Sequence, residues 1–228
     1  MYDTTKPYNK ELVNLIKTTW ETPYVSIKDF VIEKEKFNPN YKKYSHVDGI
    51  GTKGFYYWKK RIFYGPVRDA LVMNLNDLAM KRAIPYALTD HIMLPENDHE
   101  AIISMVKHLT YECRQLEIGI SGGETAIHNN IDGLEISIST SGFIKKSRKN
   151  QFKIGDILIG VRSSGLHCNG FSKIRKLFTE ENIEDFIIPA NMYSNTVLRL
   201  NDKINGMMHI TGGAFSKLKN EDLLDNSN

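Results

Sequence analysis

The chain has 228 residues, enough to bury a sizeable core, and its 41% hydrophobic and 25% charged content is ordinary for a globular protein. A formal charge of +3, with basic residues dispersed and densest at 145–149 (KKSRK), argues against a nucleic-acid partner. No apolar run approaches the roughly 18 residues of a membrane span, MYDTTKPYNK is no signal peptide, and Cys113 and Cys168 are too few and too far apart for a zinc site or disulfide framework, so the reading is cytoplasmic with no membrane partner.

Residues 9–20 place Leu12, Val13, Ile16 and Trp20 on one helical face, and 21–45 have no clear period. A short strand is expected into Val47, followed by a glycine turn within HVDGIGTK (46–53). Pro66 suits a helix start, and VRDALVMNLNDLAMKRA continues with helical spacing until Pro85 closes it. A strand follows in YALTDHIML (86–94). Asp98 can cap a long helix, HEAIISMVKHLTYECRQL, whose Ile102, Ile103, Val106, Leu109 and Leu116 face inward. A second glycine turn is expected in SGGETA (121–126), then an alternating strand in LEISIST (134–140).

The polar, basic, aperiodic stretch 145–156 divides the chain into an N-terminal domain, 1–145, and a C-terminal one, 146–228. Beyond it, 157–161 (ILIGV) is expected as a buried strand, 163–170 (SSGLHCNG) as a loop and FSKIRKLF as a helix start. A further helix is expected within 191–202, then a strand and a glycine turn in MMHITGGAF (207–215). Strands alternating with helices make the fold α/β or α+β.

The helix over 67–82 carries the most chemical information. At about 100° per residue, Asp69, Met73, Asn76, Asp77 and Met80 share one arc, while Val67, Leu71, Leu75 and Leu78 lie opposite as the core face. Carboxylates interleaved with methionine, and with no lysine at i+4, describe a half-buried face that wants a cation; a plain solvated face is the alternative. Asp48 and Glu124 add two carboxylates beside Gly49, Gly51, Gly122 and Gly123. Bare glycine amides can approach phosphate, Lys53 can meet it as a point charge, and carboxylates can hold Mg²⁺ on the phosphates. Neither GxxxxGK[ST] nor GxGxxG occurs in the chain.

HVDGIGTK, NLNDLAMKRAIP (74–85), SGGETA, SSGLHCNGFSKIRK (163–176) and HITGGAF (209–215) occur in an order that resembles the phosphoribosylformylglycinamidine cyclo-ligase (AIR synthetase) family. The resemblance spans about 170 residues, and HITGG with SSGLHxNG favours this family over its relatives selenophosphate synthetase, thiamine-monophosphate kinase and formylglycinamidine ribonucleotide synthetase. It implies a two-domain α/β fold whose N-terminal domain dimerises through its sheet. It also implies an ATP- and Mg²⁺-dependent ring closure of a small ribonucleotide in purine biosynthesis. By resemblance, Asp48, Asp69, Asp77 and Glu124 are the metal and nucleotide carboxylates. Gly49, Gly51, Thr52, Asn76, Gly123 and Asn169 are further nucleotide contacts, and Lys53 and His167 are the catalytic pair. His209 reads equally as a packing or positioning residue. Three departures stand out: residues 1–45 contain no glycine, Ile127, His128 and Asn129 replace the family's acidic stretch after GGETA, and the family's second domain continues well beyond HITGG. The last departure leaves room for a complementing chain, for a different small substrate, or for a non-catalytic homologue that dimerises with a full-length enzyme.

Overall fold

A computed structural model describes residues 8–177, 183–213 and 216. Helix α1 (Tyr8–Lys17) leads into a hairpin of β1 (Val25–Lys28) and β2 (Val31–Glu35). Its two turn residues, Asp29 and Phe30, both have positive φ, 48° and 66°. That is the backbone a two-residue hairpin turn needs to match the strand twist. Aromatic residues spaced along 20–41 supply the partner surface: Tyr24, Phe37 and Tyr41 gather on Phe143, with Phe37 stacked on it at 4.1 Å between centroids.

The main sheet has the order β3 (Lys42–Gly49), β6 (Glu135–Ile144), β4 (Ile84–Leu94), β5 (Gly119–Ile127). Its pairs are antiparallel except β4–β5, which is parallel and is joined by the crossover helix α4 (His99–Gln115). Helix α2 (Lys53–Lys59) and helix α3 (Tyr64–Met80) fill the connection between β3 and β4. Leu71 and Leu75 of α3, Ile102, Met105 and Leu109 of α4, and Leu88, Ile92, Ile136 and Ile138 of the sheet are all buried in the principal apolar core. Asp98 caps α4 as expected, its carboxylate accepting the Ala101 N–H at 2.9 Å.

SGGETA is no turn: it lies inside β5. The glycines serve the sheet instead. Gly123 faces Asp90 across the parallel ladder, and a Cβ there would stand 2.5 Å from Asp90 Oδ1.

Beyond Ile144 the architecture changes. Among the described residues 145–213 hold no strand, only short helices α5 (Phe171–Ile174) and α6 (Ser194–Arg199) and the 3₁₀ turns Ile183–Asp185 and Asn201–Lys203. The strands expected at 157–161 and in 207–210 are absent; residues 214 and 215 of the latter motif lie outside the described set. Ile157, Leu158 and Ile159 are each more than 80% exposed. A strand closes its N–H and C=O groups only against a neighbour, and no neighbour stands beside this segment among the described residues. The rest is nonetheless fastened to the first part. Phe171, Ile183 and Ile187 join the main core, and Arg82 reaches across to the carbonyls of Arg148 and Asn201 at 3.0 Å each.

Candidate functional site

The site is built on α3. Its apolar face is the expected one, with Val67, Leu71, Leu75 and Leu78 buried. Its polar face is not solvated: Asp69 is completely buried and Asn76 nearly so. A buried carboxylate demands a counter-charge, and Lys53 supplies it, with Nζ 2.7 Å from Asp69 Oδ2 and both side chains inaccessible. Lys53 gets there because α2 begins directly after the glycine turn and lies close against the loop before β6. Gly54 permits that approach, since a Cβ would sit 1.9 Å from the Leu134 carbonyl oxygen.

Segment 187–194 completes the same face. Lys53 Nζ also donates to the Ile188 carbonyl at 2.7 Å, and the Ala190 N–H donates to Asp69 Oδ1 at 2.7 Å. The Tyr57 hydroxyl lies 2.7 Å from Asp69 Oδ2 and 2.9 Å from the Ile187 carbonyl. Burial, then the Asp69 charge, pushes that phenol well above its ordinary range, so it stays protonated and its one proton faces two acceptors. Asn76 accepts the N–H groups of Tyr193 (2.8 Å) and Ser194 (3.2 Å) and donates to the Asn191 carbonyl at 3.1 Å. Burial, then the neighbouring Asp69 carboxylate, drives the Cys168 thiol up, leaving it protonated and inert.

The sequence assigned Lys53 to phosphate and Asp69 to metal; in this structure they face each other. The expected cation for the acidic face is a lysine from α2. Asn76, expected at the nucleotide, holds the protein's own backbone. Asp77 is half-exposed at the rim, between His46 Nε2 at 3.3 Å and His209 Nδ1 at 3.0 Å. His46 is turned toward it by Asn74, whose Oδ1 is 3.0 Å from Nδ1. Sequence reasoning passed over His46, although strand alternation places it on the same face of β3 as Asp48.

Asp48 is half-buried at the end of β3, its Oδ1 accepting the Gly49 N–H at 2.8 Å. The Gly51 N–H donates to Glu135 at 3.2 Å, and the Thr52 hydroxyl lies 3.0 Å from that of Ser172. Asn169 is exposed in the loop before α5. Glu124 stands apart. Register places Asp48, Ile138, Asp90 and Gly123 in one row on the helix-covered face, so alternation puts Glu124, beside His91, on the opposite face. Asp90 also escaped the sequence reading. It occupies an inward position between Leu88 and Ile92, and its carboxyl is pushed up to about 7, mainly by burial, with Glu124 adding a smaller repulsion and its own backbone N–H opposing. A charge at an inward position of an alternating strand was the available signal.

His167 enters from the loop 163–170 and packs near Tyr193, its ring centroid 6.2 Å from the phenol ring. Its Nε2 accepts the N–H groups of Ser164 and Asn191, each at 3.4 Å, and its backbone is left-handed at φ 54°. Burial, then the Lys53 charge, lowers its pKa, with Asp69 opposing. It is therefore neutral near pH 7. Among the described residues no group of three or more His, Cys, Asp or Glu stands close enough to hold a metal alone. A cavity of about 670 Å³ beside α2, lined by Phe55, Trp58, Arg61 and Asp98, shares none of these residues.

Residues 30–144 match the N-terminal domain of AIR synthase related protein, and residues 153–226 match the C-terminal domain of the same family. The chain belongs to the AIR synthase related protein family. Among curated AIR synthase relatives, the phosphoribosylformylglycinamidine cyclo-ligase of Sulfurisphaera tokodaii is 37% identical over 182 residues, covering 76% of this chain and 57% of its own. That of Saccharolobus solfataricus is 34% identical over 182 residues, covering 76% and 56%. The chain thus spans little more than half the length of the curated relatives it matches. Among solved structures, AaThiL complexed with AMPPCP and TMP aligns with TM-score 0.60 at 14% identity, covering 99% of this chain and 73% of its own. Thiamine monophosphate kinase from Aquifex aeolicus aligns with TM-score 0.53 at 13% identity, covering 89% and 68%. At that identity the likeness speaks for the AIR synthase fold alone.

Proposed function

We propose that this protein is a cytoplasmic, ATP-dependent cyclo-ligase of purine biosynthesis that converts formylglycinamidine ribonucleotide to aminoimidazole ribonucleotide with release of ADP and phosphate. The observation that carries the reading is the meeting of two motif groups in one place. His167, from SSGLHCNG, accepts the Asn191 N–H of the segment that Asp69 and Asn76 of α3 hold, in a chain 37% identical to a cyclo-ligase. The division at 145/146 gives the first part the nucleotide-facing elements and the second part the histidine loop.

In this reading the substrate amide oxygen takes the terminal phosphoryl group of ATP, an internal nitrogen closes the imidazole ring, and phosphate leaves. Mg²⁺ would neutralise phosphate charge. Asp48 and Asp77 suit it, being half-exposed carboxylates at the end of a glycine turn and at a helix rim. A hard cation such as Mg²⁺ keeps waters and phosphate oxygens and asks for only one or two protein carboxylates. Gly49, Gly51, Gly123, Thr52 and Asn169 would line the phosphates. Phosphoryl transfer asks chiefly for alignment and electrostatics, and neutral His167 can donate to a developing oxyanion. Asp69, Asn76 and Lys53 hold the second segment in place.

Residues 1–145 would also make a homodimer. The sheet face opposite the helices presents Ser45, Val47, Thr89 and Ser139 to solvent, with Glu124 on the same side, and a second copy covering it would bring that carboxylate into a shared site. A complementing chain is the second reading, favoured by the exposed Ile157, Leu158 and Ile159. The deciding measurement is ADP release from formylglycinamidine ribonucleotide, ATP and Mg²⁺ by the purified protein. Release abolished by Asp77→Asn is the expected result. No release above background from folded dimer removes the cyclo-ligase reading, and ADP formed only with other amides or phosphate acceptors would redirect the substrate.

A further inference from the structure

The buried cluster of Lys53, Tyr57 and Asp69 has a feature that a simple salt bridge lacks: every member also grips the backbone of 187–190. Lys53 holds the Ile188 carbonyl, Tyr57 reaches the Ile187 carbonyl, and Asp69 takes the Ala190 N–H. Asn76 then fixes the next residue by donating to the Asn191 carbonyl. The backbone of Asn191 is thereby held on both sides, and its N–H is delivered to His167 Nε2. The histidine loop is tied to the same segment a second time, because the Ser164 hydroxyl donates to the Pro189 carbonyl at 3.1 Å while the Ser164 N–H also reaches Nε2.

Two amide donors on Nε2 leave that nitrogen one role. It must be the unprotonated acceptor, so the single proton of neutral imidazole sits on Nδ1. Nδ1 has no hydrogen-bond partner among the described residues. The left-handed backbone of His167 is disfavoured for a side chain with a Cβ and persists because its surroundings over-determine it.

We propose that the Lys53–Tyr57–Asp69 cluster is a positioning device that seats 187–191 so as to lock His167 in its Nδ1–H tautomer, making it a hydrogen-bond donor to substrate rather than a base. None of the three touches substrate; each acts through the Asn191 and Ser164 amides. The inference that His167 meets substrate rests on the cyclo-ligase reading, whereas the tautomer and its dependence on the cluster do not.

The test uses the full chain labelled with ¹⁵N, with long-range imidazole correlations read at neutral pH, for wild type, Tyr57→Phe and Asp69→Asn. The expected spectrum has His167 with Nδ1 protonated and Nε2 bare in wild type, and a shift toward the Nε2–H form in both variants. Tyr57→Phe keeps the ion pair and the ring, so it remains informative if Asp69→Asn fails to fold. A wild-type His167 carrying its proton on Nε2, or a folded Tyr57→Phe with an unchanged spectrum, overturns the proposal. In turnover, Tyr57→Phe should lower kcat about tenfold or more with KM for ATP held; KM rising while kcat holds would place the cluster at the nucleotide instead. Absence of any cyclo-ligase activity would remove the substrate role and leave the spectral result standing.

Discussion

Residues 25–144 and 145–213 are comparable in apolar content but not in architecture. The first region closes a four-stranded sheet over two long helices. The second forms no strand among its described residues and leaves ILIGV in solvent. The first finds partners for its strands within itself; the second is tied to the first through α2, α3 and Arg82. Its order is borrowed from polar side chains of the first region rather than generated by a core of its own.

The sharpest way to break that dependence is at the buried ion pair. Lys53→Met leaves Asp69 charged and uncompensated, and denaturant unfolding should show a loss of about 3–5 kcal/mol. The double variant Lys53→Met with Asp69→Leu should recover much of it. If the single variant costs less than about 1 kcal/mol, the tether carries little weight. Next comes a contrast across the two regions. Leu71→Ala should cost about 2–5 kcal/mol, whereas Leu158→Ala, at a side chain 83% exposed, should stay within about 0.5 kcal/mol. A large loss at Leu158 would show that the second region buries it in solution. A smaller loss than at Leu71 is expected at the α4 cap: Asp98→Ala should cost about 1 kcal/mol. Burial pushes the Asp98 carboxyl up, but the Ala101 N–H and Arg61 outweigh it and its pKa is lowered overall. A lowered carboxyl stabilises fully above its unfolded value of about 4 and loses that stabilisation as pH falls through the folded one. Wild type and Asp98→Ala should therefore converge in stability in strong acid, and a difference that persists there would contradict the assignment.

How far the sequence could be read follows the same division. Periodicity found α3, β4, α4 and β6, and the Asp98 cap, because each is set by local pattern and a core that the chain itself provides. The hairpin of 25–35 escaped because its signal is a pair of positive-φ residues, Asp29 and Phe30, neither of them a glycine. SGGETA misled in the opposite sense: its Gly123 makes room for Asp90 rather than a bend. ILIGV has the composition of a buried strand, but strand formation is decided by a neighbour, which composition cannot supply. At the site, the acidic face of α3 was visible and its need for a cation was deduced. That the cation is Lys53, 16 positions earlier, depends on how α2 docks, which is a tertiary fact.

Asn76 carries a consequence for the order of assembly. Helix α6 has six residues and begins with Tyr193 at its cap position, whose side chain makes no capping bond. The two amides at its start that have no partner within the helix are satisfied by Asn76 from another helix. A helix this short does not nucleate alone in water. The turn at 194–199 should thus acquire its shape only after α3 has been built, which makes the amino-terminal half the template in folding and the carboxyl-terminal segment its follower. During synthesis from the amino terminus, that template would already be waiting when Ser194 emerges.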